Sequence, residues 1–181
     1  MSDQESDTKS EQKPEQKPDP ASARSVELAV AVQNATGDTR VPPLERIREW
    51  ATLAVAGTAR GEITVRIVGT NESADLNQRY RDRRGPTNVL AFLTEPPSTP
   101  PAVGAELLPL GDLVICAPVL AREAREQRKP LEAHWAHIVM HGVLHLLGYD
   151  HETEDQAALM EGRERELLAQ LGFADPYSPR G

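Results

Sequence analysis

Residues 131–147 are the segment that most constrains the fold of this chain. Drawn as an α-helix, the segment is apolar nearly all round. A helix of that kind is buried in the middle of a fold. Four histidines, His134, His137, His141 and His145, fall within about 80° of one face of the same helix. The segment therefore predicts a buried central helix that presents a row of imidazoles.

The end of this helix carries a candidate metal site. His141 and His145 are one helical turn apart and face the same way. Gly148 can end the helix and turn the chain back, which brings His151 within reach of His145. Three neutral imidazole nitrogens with a fourth position left open are typical of a catalytic zinc site. The spacing predicts one Zn²⁺ ion, held by His141, His145 and His151, that activates water.

The remaining polar residues of this region have two interpretations each. His137 and His145 are about 12 Å apart along the axis, too far to share an ion. We interpret His134 and His137 as core histidines with polar partners, the alternative being contact with a metal ligand. Asp150 is either a turn residue or the acceptor of a hydrogen bond from a ligand's second ring nitrogen.

The histidine spacing also matches that of the metzincin metalloproteases. Those enzymes carry a glutamate directly after the first histidine, where it serves as the general base. This chain has Gly142 at that position, and Met160 lies inside a predicted helix rather than in a Met-turn. Peptide hydrolysis by the usual route is therefore disfavoured.

A basic cluster lies at residues 79–84, although the chain as a whole is acidic. The net charge is −8, which argues against a polyanionic partner unless a local patch supplies the contact. Arginine binds phosphate through two parallel hydrogen bonds, and Tyr80 offers a flat face to a nucleobase. Alternatively, the arginines are solvated residues at a helix end and Tyr80 is a core residue. The arginines of the cluster are Arg79, Arg81, Arg83 and Arg84.

The two ends of the chain differ in composition from its middle. Residues 1–24 contain no aromatic residue and no Val, Ile or Leu, and are predicted to be a disordered tail. The predicted domain covers 25–177, and a short tail covers 178–181. No secretory signal or bilayer-spanning run is evident, and Cys116 lies in an apolar run as an inert core residue. We expect a cytoplasmic protein.

The pattern of periodicities predicts a single α/β (α+β) domain with a mixed sheet of about four strands covered by helices. An irregular loop is expected over 95–106, Asn71 as a helix cap, and Thr153 and Gln156 as a capping box. The predicted strands cover 25–32, 62–68, 87–93 and 111–116, and the predicted helices cover 44–55, 71–81, 121–128, 131–147 and about 153–170.

The run from His141 to His151, His-Gly-Val-Leu-His-Leu-Leu-Gly-Tyr-Asp-His, resembles the motif of the YbeY family of bacterial endoribonucleases, the rRNA maturation factors. The similarity extends through 76–81, 86–90, 110–116, 129–137 and 171–177. It implies a zinc ion on His141, His145 and His151, with His141 and Arg81 in catalytic roles. The chain departs from the family at Ala91, where Ser is common, and at Leu93, where Pro is common. The resemblance therefore does not predict the shape of the substrate groove at these two positions.

The same resemblance implies cleavage of single-stranded RNA, 3′-end maturation of 16S rRNA and ribosome quality control. The implied partners are the 16S rRNA precursor, the small ribosomal subunit and its assembly factors, with no DNA and no membrane. Direct attack by water and attack by the RNA's own 2′-OH both remain open. So do two rival functions: a metallohydrolase of peptides or small esters, and a non-enzymatic assembly factor with structural zinc.

Overall fold

The computed structural model of the protein describes residues 28–57, 61–95 and 107–178. Three predicted segments lie wholly or mostly outside these residues: the tail over 1–24, the loop over 95–106 and the C-terminal tail over 178–181. The described strands are β1 (Leu28–Asn34), β2 (Gly61–Val68), β3 (Val89–Leu93) and β4 (Pro109–Cys116). The described helices are α1 (Leu44–Val55), α2 (Thr70–Arg81), α3 (Ala117–Glu126), α4 (Leu131–Leu146) and α5 (Glu154–Gln170).

The four described strands form one mixed sheet, as the sequence predicts. Their order is β1-β2-β4-β3. Strands β1, β2 and β4 are parallel, and β3 is antiparallel to β4. Strand β2 is rich in Val and Ile, and the last residues of the central strands β2 and β4 are buried, as expected for a sheet covered by helices. Strand β3 therefore lies at an edge of the described sheet.

Helix α4 lies at the centre of the molecule, which confirms the prediction from its all-round apolar sequence. It packs against α1, α3, α5, β3 and β4. Trp135, Met140, Val143 and Leu144 are at most 1 % exposed. Cys116 belongs to a smaller cluster of buried residues at the end of β4. Within the described residues, no helix combines the length and apolar character needed to cross a membrane.

Gly142 allows α4 to approach the sheet closely. A Cβ atom at this position would lie 2.9 Å from Leu113 Cδ2 and 3.3 Å from Val89 Cγ2. Contacts of this length are shorter than ordinary van der Waals separations between carbon atoms. The missing side chain at 142 thus places the histidine-bearing end of α4 directly against β3 and β4.

Two helix starts differ from the sequence prediction. Helix α3 begins at Ala117, four residues before the predicted start, because Pro118 lies in the first turn, where a proline is tolerated. Asn71 does not cap α2. The chain enters that helix through Gly69 in an extended conformation, which places Asn71 inside the first turn.

The boundaries of α5 follow the prediction closely. Gln156 N–H donates to Thr153 Oγ1, and Thr153 N–H donates to Gln156 Oε1, so the capping box is complete. Gly172 has φ +76°, the left-handed conformation that commonly follows a helix end. Helix α5 therefore starts shortly after His151 and is fixed there by its own side chains.

Candidate metal centre

His141, His145 and His151 lie together at one end of α4. Nitrogens of all three rings lie within 4.8 Å of one another. His141 and His145 belong to the last turns of α4, and Gly148, with φ +92°, turns the chain so that His151 approaches both. The ring of His151 lies 5.0 Å from that of His145 and 5.8 Å from that of His141, measured between centroids.

Two of the three donor nitrogens, those of His141 and His145, have the spacing of two ligands on one tetrahedral zinc ion. Two nitrogens bound to one zinc at about 2.0–2.1 Å lie about 3.3 Å apart when the geometry is tetrahedral. His141 Nε2 and His145 Nε2 are 3.2 Å apart. Their Nδ1 atoms are occupied elsewhere, because His141 Nδ1 lies 2.6 Å from Glu164 Oε1 and His145 Nδ1 lies 3.0 Å from the Tyr149 carbonyl. Each ring is thereby held with Nε2 directed at the common point.

The surroundings of His145 favour its neutral form. Burial lowers the pKa of this imidazole, and the neighbouring His141 and His151 lower it further by charge repulsion. A metal ligand must be neutral, so the lowered pKa favours metal binding near neutral pH.

Glu164 is a residue of this centre that the sequence did not predict. The carboxylate is fully buried, and its partners are His141, His137 and the Tyr177 hydroxyl, which donates to Glu164 Oε2. Burial by itself would raise the pKa of Glu164, but the hydrogen bonds with His137, His141 and Tyr177 outweigh it and lower the pKa to about 2. The carboxylate is therefore charged at neutral pH.

One local signal could have identified Glu164. It lies on α5 between Met160 and Leu167, and these residues together with Leu168 are at most 1 % exposed. A glutamate on the apolar face of a helix needs a buried partner, because an unpaired charge there is costly. The sequence thus indicates that Glu164 has a buried polar partner but does not show which residue that partner is.

The expectation of core histidines with polar partners is met only at one nitrogen of each ring: His134 is buried, His137 is largely buried, and the Nδ1 atom of each has no partner among the described residues. His134 Nε2 is 2.8 Å from Glu123 Oε2. His137 Nε2 is 3.3 Å from both Glu164 Oε2 and the Tyr177 hydroxyl. Glu164 contacts both His137 and His141, so His137 contacts the carboxylate that orients the candidate metal ligand His141. Donor atoms of His137, His141 and Glu164 form a second close group, within 4.8 Å of one another.

Asp150 has the hydrogen bond of a turn residue. Its Oδ1 accepts from the backbone N–H of His151 at 2.7 Å. The second ring nitrogen of His145 instead donates to the Tyr149 carbonyl. Of the two interpretations of Asp150, its observed hydrogen bond supports the turn residue.

The three histidines open into a cleft of about 630 Å³, which is also lined by Arg81 and Arg83. One wall is the edge strand β3, through Val89, Ala91 and Leu93. Two of these, Ala91 and Leu93, are the positions at which the sequence departs from the common family pattern.

Only half of the arginine cluster lines the cleft. Arg81 is the last residue of α2, and Asp82 follows with φ +52°, a conformation that aspartate tolerates better than most residues. This turn directs Arg83 back toward the cleft, whereas Arg79 and Arg84 do not line it. No carboxylate in the described ranges forms an ion pair with Arg81 or Arg83. Both guanidinium groups are therefore available for an anion in the cleft.

Comparison with known proteins shows the family to which the chain belongs. The family model described as Endoribonuclease YbeY matches residues 32–172. A protein named Endoribonuclease YbeY from Halorhodospira halophila is 52 % identical over 155 residues, which is 85 % of this chain and 99 % of the relative. A protein of the same name from Alkalilimnicola ehrlichii is 54 % identical over 140 residues, or 76 % of this chain and 82 % of the relative.

A solved structure, the solution structure of TM1509 from Thermotoga maritima, aligns with a TM-score of 0.49 at 23 % identity and covers 84 % of this chain and 99 % of its own. The residues that match the family model include every described helix, each of the three clustered histidines and Arg81. Because the family model matches residues 32–172 and two relatives are more than 50 % identical, the chain belongs to the YbeY family of endoribonucleases.

Proposed function

We propose that this chain is a zinc-dependent, single-strand-specific endoribonuclease that acts in 3′-end maturation of 16S rRNA and in ribosome quality control. It works in the cytoplasm with the small ribosomal subunit and its assembly factors. The catalytic domain covers 25–177, between tails at 1–24 and 178–181. The observation that carries the proposal is the 3.2 Å separation of His141 Nε2 and His145 Nε2 at the base of a cleft that also contains Arg81.

His141, His145 and His151 are the proposed ligands of the zinc ion. When bound, zinc supplies a Lewis acid that polarises a phosphoryl oxygen and makes water more acidic. Three neutral imidazoles leave the charge of the ion uncompensated, so the centre attracts a phosphate group. The Glu164 carboxylate keeps the His141 ring in place by accepting from Nδ1–H.

Arg81 binds the scissile phosphate in this proposal. A guanidinium group can make two parallel hydrogen bonds to phosphate oxygens, and it stabilises the negative charge that develops on them during cleavage. Arg83 lines the same cleft and can contact a neighbouring phosphate of the strand. The two arginines account for RNA binding by a chain whose net charge is −8.

The proposed function has two rivals, and structural features argue against the peptide form of the metallohydrolase and against the structural zinc site. A peptidase of the metzincin type needs a carboxylate at position 142, where even a Cβ atom would lie 2.9 Å from Leu113 Cδ2. A purely structural zinc site is typically closed by four protein ligands, whereas the histidine group here contains three and faces a cleft.

Metal analysis paired with a cleavage assay tests the proposal. Wild-type protein should contain about one zinc per chain and cleave a single-stranded 16S precursor RNA, and His145→Ala should lose both properties. Product ends identify the nucleophile, because a 2′,3′-cyclic phosphate indicates attack by the 2′-OH rather than by water. Full cleavage by zinc-free protein would overturn the assignment of the metal centre.

A further inference from the structure

An exposed aromatic side chain lies beside the cleft on the opposite face of strand β3. Tyr80 is 59 % exposed. Its ring contacts Phe92 edge to face, with 5.0 Å between centroids and an interplanar angle of 74°. Tyr177 is also partly exposed, but Arg165 lies over its ring and its hydroxyl donates to Glu164. Tyr80 thus leaves a large part of an aromatic ring facing solvent.

The chain places Tyr80 directly next to the groups that face the cleft. Tyr80 precedes Arg81 in α2, and Phe92 precedes Leu93 in β3. Side chains alternate between the two faces of a strand, so Val89, Ala91 and Leu93 line the cleft while Phe92 points to the other face. The edge strand therefore carries the cleft on one face and the Phe92 ring on the other, and Arg81, which lines the cleft, follows Tyr80 directly in the chain.

We propose that the Tyr80 ring, supported by Phe92, is a stacking site for an unpaired nucleobase of the RNA strand whose phosphate Arg81 binds. The inference rests on the proposed function and names a further contact of the same substrate. Aromatic rings bind bases of any sequence through their flat faces. A strand held by Arg81 and Arg83 crosses the edge of the sheet, and the next base then meets the exposed tyrosine.

This site also accounts for preference for single strands. A base in a duplex is stacked between its neighbours and does not offer its face to a protein side chain. Only an unpaired base can occupy the Tyr80 site. Discrimination against duplex RNA should accordingly depend on the aromatic ring at position 80 and not on its hydroxyl group.

The test uses the full zinc-loaded chain and single-stranded RNA that contains 2-aminopurine, a fluorescent base whose emission is quenched by stacking. The variants are Tyr80→Leu, which removes the ring, and Tyr80→Phe, which keeps it. Leu159→Ala is the control, since Leu159 is 67 % exposed and lies on α5. Quenching and its concentration dependence are read in the first second after mixing, and KM and kcat for cleavage are measured separately.

Wild type, Tyr80→Phe and Leu159→Ala should quench 2-aminopurine at one position of the strand. Tyr80→Leu should lose that quenching and bind about tenfold more weakly, which is about 1.4 kcal/mol. The same loss should appear in KM, and replacing the base at that position by an abasic ribose should weaken wild type but not Tyr80→Leu. Binding of duplex RNA should be equal in all four proteins.

The outcomes separate this inference from the proposed function. Cleavage with equal quenching and equal affinity in wild type and Tyr80→Leu would overturn the stacking site and leave the endoribonuclease proposal intact. Quenching that depends on Tyr80 in a protein that does not cleave RNA would support the stacking site and overturn the proposed activity. Equal weakening by Tyr80→Phe and Tyr80→Leu would assign the effect to the hydroxyl and contradict stacking.

Discussion

Glu164 Oε1 lies 2.6 Å from His141 Nδ1, and the carboxylate that makes this contact is fully buried. The pair joins α5 to α4 through a charged hydrogen bond in the interior. Such a bond fixes both the tautomer and the orientation of the imidazole, because Nδ1 must carry the proton that the carboxylate accepts. His141 Nε2 is left as the atom that can bind a metal.

Replacing this carboxylate should weaken zinc binding. We expect Glu164→Gln to raise the zinc Kd about 10–100-fold, because a neutral amide holds the His141 ring less firmly than the charged carboxylate does. Competition with a chromophoric chelator measures the change. Glu166→Gln is the matched control on the same helix, since its carboxylate is exposed and pairs only with Arg163 among the described residues. Equal zinc affinity in the two variants would contradict the role of Glu164.

Acid should destabilise the metal-free protein through the same residue. Interactions in the fold lower the pKa of Glu164 from 4.5 to about 2. Between these values the unfolded chain takes up a proton that the folded chain does not, so the stabilising contribution is present above pH 4.5 and is lost as the pH falls. Glu164→Gln cannot show this loss.

Urea unfolding of the chelated wild type and of Glu164→Gln, at about pH 6 and about pH 3, measures the effect. The difference in unfolding free energy between the two proteins should shrink at the lower pH. A difference that stays constant would show that Glu164 titrates alike in the folded and unfolded chains.

Position 142 should not tolerate even a methyl group without cost. Gly142→Ala places a Cβ atom 2.9 Å from Leu113 Cδ2. Overpacking costs about 1–3 kcal/mol and helix propensity offsets about 1 kcal/mol of that, so we expect a net loss of up to about 2 kcal/mol in unfolding free energy. Gly162→Ala is the control, because Gly162 lies inside α5 and a Cβ atom added there would meet no described heavy atom of a neighbouring element within 4 Å. That variant should gain about 1 kcal/mol from helix propensity. Denaturant unfolding of both proteins checks the opposite signs.

The arginines of the cluster should differ in their contribution to RNA cleavage. Arg81 lines the cleft and Arg79 does not, although both lie in the last turn of α2. We expect Arg81→Ala to lower kcat/KM for RNA cleavage about 100-fold, since one donor to the developing charge is lost. Arg79→Ala should change it by less than about threefold, because an exposed charge outside the cleft acts only at long range. Equal losses would point to diffuse attraction instead of phosphate binding.

The sequence predicts those parts of the site that depend on local spacing. His141 and His145 are a helical turn apart, and Gly148 supplies the turn that brings His151 back. The central position of α4 follows as well, because its sequence is apolar nearly all round. These features can be predicted without knowing which other helices and strands pack against α4.

Contacts between distant segments do not follow from local spacing. Glu164 is 23 residues from His141, and Tyr177 is 40 residues from His137. No periodicity relates such positions, and their pairing depends on how α5 and the C-terminal segment pack against α4. The predicted start of α3 is too late for a different reason: Pro118 marks a first turn here, but a proline also fits a loop.

Helix α5 is attached to the candidate metal centre at two points. Its capping box begins two residues after His151, and one of its inner residues, Glu164, holds His141. Any ligand that binds His141 and His151 together therefore favours the docked position of this helix, and undocking must release the ligand. Amide hydrogen exchange along α5 should accordingly become slower when metal is added, well beyond the residues that contact it.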